Sequence, residues 1–105
     1  MSFKALFLAH APDADCEKHK SIINTGKYKL LSVIVKTQDE AIRVSKIMYI
    51  KVKIDAIILC PGFTHSDVAE IFQALEGKVS VTVARGDGPS SKISQSARQR
   101  EYFNK

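Results

Sequence analysis

The sequence predicts an α/β fold: a four-stranded parallel sheet in the order 2-1-3-4 with helices on both faces, a truncated doubly wound architecture of flavodoxin or Rossmann-like type. Three observations predict it. The apolar pattern switches repeatedly between strand-like runs and helix-like spacing, with no internal repeat. The runs "KALFLA", "LLSVIV" and "AIILC" are nearly continuous in apolar residues, as expected of parallel strands covered on both faces. At 105 residues, 45% hydrophobic and 26% charged, the chain has room for a single α/β domain over residues 1–105.

The first strand is expected over residues 4–9, followed by a weakly amphipathic helix over residues 15–25 that Gly26 would end as a left-handed cap. The second strand is expected over residues 29–36. The next helix, residues 38–52, opens with Thr37 and Glu40 spaced as a capping box, in which hydroxyl and carboxylate each satisfy a free backbone amide. No glycine ends that helix, and Ile47, Tyr49 or Ile50 is left exposed on every orientation.

The third strand is expected over residues 55–60. Thr64 and Asp67 then cap a helix whose Val68, Ile71, Phe72 and Leu75 fall at i, i+3, i+4 and i+7, with Phe63 stapled onto Val68 and Gly77 ending the helix. The fourth strand, residues 78–85, carries Val79, Val81 and Val83 on one face and Ser80, Thr82 and Ala84 on the other. Gly88 and Pro89 suit the start of a last, polar helix, with proline at its first position.

In such a sheet, ligands sit outside the carboxyl ends of the strands where the strand order reverses, here between the first and third strands. The reactive residue types collect on that rim. His10 and Asp13 follow the first strand, Cys60, Thr64 and His65 follow the third, and Arg85, Gly86, Asp87, Gly88, Ser90 and Ser91 follow the fourth. Amides at the start of the last helix, the serine hydroxyls and Arg85 would hold an anion. His10 or His65 would serve as acid or base in a proton-transfer or lyase-like step.

Each of these residues also has a purely structural account. Glycine and proline turn the chain, His10 can bond a backbone carbonyl at a strand end, and Cys60 can be a core thiol. Gly86, Gly88 and Ser91 read GxGxxS, near the dinucleotide fingerprint. Only fourteen residues follow Ser91, too few for the acidic ribose-binding residue, so no dinucleotide is expected. No other cofactor and no metal are expected, since His10, Cys60 and His65 lack a dense ligand spacing.

The net charge of +5 comes from basic residues scattered from Lys4 to Lys105, without a nucleic-acid recognition motif or stacking aromatics, so nucleic acid ranks last among partners. The apolar runs are too short to span a bilayer and the N-terminus lacks a cleavage site, so no membrane association and a cytoplasmic location are expected. Cys16 and Cys60 do not make a disulfide framework. A homodimer is expected, through the edge of the fourth strand or the second helix.

Together "FLAHAPDAD", "AIILCPGFTH" and "ARGDGPSS" resemble the three blocks of a family of small single-domain prokaryotic α/β proteins filed as a domain of unknown function. The resemblance spans nearly the whole chain and implies the same alternation of strand and helix, but no activity. The sequence departs from that pattern at "YIKVKID", where a glycine usually ends the second helix, and in the tail "SQSARQREYFNK". Two functions are therefore expected in order. The first is a small-molecule-binding protein or enzyme acting on an anionic carboxylate or phosphate metabolite. The alternative is a non-catalytic regulatory or assembly module acting through protein contacts.

Overall fold

The computed structural model describes residues 1–84 and 90–103. Its elements in chain order are β1 (Phe3–His10), β2 (Lys20–Asn24), β3 (Tyr28–Val35), α1 (Gln38–Val52), β4 (Ala56–Leu59), α2 (His65–Ala74), β5 (Ser80–Val83) and α3 (Ser91–Arg98). A π-helical turn, Gln99–Phe103, continues α3. The sheet has five strands in the order β2-β3-β1-β4-β5. β3, β1, β4 and β5 are parallel neighbours in the order expected of the four strands, whereas β2 runs antiparallel to β3. A mixed five-stranded sheet thus replaces the purely parallel four-stranded one.

The added strand stands where the first helix was expected. A helical turn does begin there: the amides of Lys18 and His19 both donate to the Asp15 carbonyl, and the Asp15 amide donates to His19 Nδ1. It stops at His19, and from Lys20 the chain, with the β-branched pair Ile22 and Ile23 at its centre, pairs with β3 instead. Gly26, at φ 102°, sits in the hairpin turn between β2 and β3 and is not a helix cap. Its amide donates to Asn24 Oδ1 at 2.8 Å, while the Thr25 amide donates to the Tyr28 carbonyl at 2.9 Å.

Losing that helix changes the layering. The first crossover would have laid it on the face of the sheet opposite α1 and α2, because the chain steps from β1 to β3 in the opposite sense to the later steps. α1 and α2 pack against each other, and one core holds Leu6 and Leu8 of β1, Leu31, Val33 and Val35 of β3, and Ile57 and Leu59 of β4. Ala41 and Val44 of α1 and Ile71 of α2 close that core. These strand residues share one face by alternation. The helices therefore cover one face of the sheet, and the expected two-sided cover is absent among the described residues. The other face carries Phe3, Phe7, Tyr28, Leu30, Ile34 and Ile58 at the alternate positions, none of them in the core cluster.

The helix ends explain how the chain enters and leaves the carboxyl edge. Thr64 and Asp67 exchange both capping bonds, Thr64 N–H to Asp67 Oδ2 at 2.8 Å and Asp67 N–H to Thr64 Oγ1 at 3.1 Å. At α1, Thr37 Oγ1 accepts from the Glu40 amide, but Glu40 Oε1 takes the Lys36 amide, one residue earlier than a simple box requires. Lys53 replaces the missing glycine: it adopts the left-handed conformation (φ 63°), its amide shared between the Met48 and Tyr49 carbonyls. Ile47 and Tyr49 are partly buried, which leaves Ile50 as the large exposed residue of that trio.

Candidate functional site

The reversal of strand order lies between β1 and β4, as expected, and the carboxyl ends of both strands open into one hollow. β1 delivers His10, and the chain leaving β4 delivers Cys60, Pro61 and Gly62. From the far side α3 and the turn after it bring Gln95, Arg98, Gln99 and Tyr102, while the start of α1 contributes Thr37 and Gln38. The cavity measures about 850 Å³, within the range of small-molecule sites, which run from roughly 300 to 1,000 Å³.

Gly62 marks where the polar groups meet. A Cβ built on it would stand 3.6 Å from Cys60 Sγ, 3.8 Å from Arg98 Nη1 and 3.8 Å from His10 Nδ1. One point is thus in contact range of a thiol, a guanidinium and an imidazole. The His10 ring stacks on Phe63, with centroids 3.8 Å apart and planes 20° from parallel. Burial lowers the His10 pKa below its ordinary 6.5, with the Asp67 carboxylate opposing the shift more weakly, so the imidazole is neutral at pH 7. Arg98 is partly buried and has no carboxylate within ion-pair distance among the described residues.

Gln38 adds an acceptor. Its Nε2 donates to the Asp67 carbonyl and to Glu70 Oε1, both at 3.1 Å. Both neighbours are acceptors, so the amide cannot flip, and Oε1 is buried without a hydrogen-bond partner among the described residues. A buried carbonyl oxygen in this state favours a donor from a water or a ligand.

A second hollow of about 730 Å³ lies on the other side of Arg98, which lines both together with Gln95 and Pro61. His65, Ser90, Ser91 and Ser94 line this one. The expected site residues therefore divide: His10 and Cys60 face the first cavity, His65, Ser90 and Ser91 the second. Thr64 serves the cap of α2, and Asp13 lies exposed in the turn after β1 and lines neither hollow. Arg85, Gly86, Asp87 and Gly88 lie outside the described residues.

Arg98 is the site residue that the reading of the sequence missed, because "ARQREYFNK" looks like a solvated tail. A signal was present: Gln95, Arg98, Gln99 and Tyr102 fall at i, i+3, i+4 and i+7, a polar stripe with the spacing of one helix face. No group of three His, Cys, Asp or Glu able to hold a metal ion occurs among the described residues. No helix among them is long and apolar enough to cross a membrane.

A family model described as a family of unknown function, DUF6506, matches residues 3–99. No curated protein and no solved structure matches the chain.

Proposed function

The chain belongs to DUF6506, a family of unknown function, and from that premise we propose that it binds a small anionic metabolite, a carboxylate or phosphate, in the cavity at the carboxyl ends of β1 and β4. The observation that carries the reading is the convergence of Arg98, His10 and Cys60 around Gly62. Among the described residues Arg98 has no carboxylate partner, and a guanidinium so placed recognises an anion by charge-assisted hydrogen bonds. Where the bound molecule is a substrate, neutral His10 is the group that accepts a proton from it, held in orientation by its stack on Phe63. His65, Ser90 and Ser91 extend the reading into the second hollow.

The same proposal places the protein in the cytoplasm, where Cys16 and Cys60 stay as free thiols. The alternative, a non-catalytic assembly module, draws on a different observation, the sheet face that no helix covers among the described residues.

A thermal-shift screen against small carboxylates and phosphates, inorganic phosphate included, identifies a ligand, and titration calorimetry then compares Arg98→Ala with the parent. The expected loss is about 1.5–3 kcal/mol, that of a hydrogen bond to a charged group, with the unfolding midpoint preserved. Equal affinity in the two proteins would remove Arg98, and with it the proposed site.

A further inference from the structure

We propose that the uncovered face of the sheet is the interface of a homodimer, two copies packing sheet against sheet. The face is apolar and open: Phe3 is 48% exposed, Ile23 60%, Tyr28 39% and Ile34 39%, with Phe7 and Leu30 partly exposed between them. The Phe3 and Tyr28 rings lie 5.4 Å apart on it, tilted by 55°. None of these residues belongs to the core cluster, and no helix packs over them among the described residues. An exposed apolar patch of this extent on a small domain marks an interaction surface.

Area and charge favour a second copy of this chain. With strands ~4.8 Å apart and ~3.3 Å of rise per residue, a sheet with these strand lengths presents roughly 450 Å² of one face in projection. Protruding side chains raise the accessible area above the projection, so two copies remove about 1,000 Å² or more from water, the size at which a specific interface begins to hold. Every strand position on the face is uncharged, although the chain carries a net charge of +5. Such a face offers nothing to select an oppositely charged partner and nothing to repel its own copy. Relief supports the pairing as well. Ala5, Ser32 and Ala56 are the small residues among the aromatic and aliphatic ones on this face, and two such faces can pack about a twofold axis.

This surface differs from the edge of β5 and from α1, where an interface was expected from the sequence. At β5, Val79 just before the strand is buried and Val81 partly buried while Val83 is exposed, and on α1 Ile50 is the large exposed residue, so each offers a smaller apolar surface than the bare face.

Sedimentation equilibrium at tens of micromolar tests the proposal. The parent chain is expected at twice its mass of 11.6 kDa, and Ile34→Lys and Phe7→Glu are expected at the monomer mass. Each variant is checked for native circular dichroism and cooperative unfolding. Ile34 is exposed enough for the lysine variant to fold even where Phe7→Glu does not. Ile50→Glu on α1 is the control that remains a dimer. A monomeric parent overturns the proposal, and so does a monomeric parent that binds lipid vesicles or a folded Ile34→Lys variant that still dimerises.

Discussion

His10 is the residue on which packing and titration meet. Its ring is partly buried against Phe63, and the cost of burying the charged imidazolium outweighs the attraction of Asp67. Burial therefore lowers the pKa in the folded protein below the ordinary 6.5, whereas the unfolded chain retains a value of about 6.5. Between the two values the unfolded chain binds more protons, so stability falls as the pH drops through 6.5 and the loss levels off below the folded midpoint. Two results are expected. The His10 ring protons should titrate in NMR with a midpoint below 6.5, and His10→Gln should flatten the acid side of the stability profile. A midpoint at or above 6.5 would show that the imidazole is not desolvated, and His10 would lose its role as the neutral base.

Among the elements, the β2–β3 hairpin is the one on which the sequence misled. Asp15 and the polar run to Lys20 do form a helical turn, and no alternation of apolar and polar residues marks β2, because all five of its residues are exposed. An edge strand without a buried face has no pattern to display. The sign that did exist was Asn-Thr-Gly between two apolar runs, a turn signal. The parallel strands were legible for the opposite reason: Leu6, Leu8, Ile57 and Leu59 are fully buried, and burial demands the apolar runs. The helix starts were legible because Thr37 and Thr64 sit at fixed distances from Glu40 and Asp67. The carboxyl edge was legible as a location, since topology alone fixes it, whereas Arg98 was hidden because its helix face is polar. Gly26 tests the hairpin. A Cβ there meets nothing within 4 Å, so only its φ of 102° resists substitution. Gly26→Ala should cost about 1 kcal/mol and speed amide exchange in β2 while leaving β1 protected. An unchanged stability would mean that the turn does not hold the conformation described.

At the scale of the whole molecule, the three surfaces of the sheet differ: the helix-covered face holds the core, the carboxyl edge carries the cavities, and no helix among the described residues covers the third, the face proposed for association. The division predicts what the C-terminal helix is for. The core cluster and the side chains packed on it end at Val81, and α3 contributes no buried residue. Yet Gln95, Arg98, Gln99 and Tyr102 form one wall of the larger cavity. Removing everything after Ser90 should therefore spare the fold and destroy the site. A loss of stability under about 1 kcal/mol corresponds to a fall of no more than roughly 4–8 °C in the unfolding midpoint of a domain this size, with cooperativity kept. The truncated chain should give no thermal shift with any carboxylate or phosphate that stabilises the parent, while its sedimentation should still report the dimer, because the bare face is intact. Loss of cooperative unfolding on truncation would make α3 part of the fold, and a retained ligand shift would move the site away from Arg98.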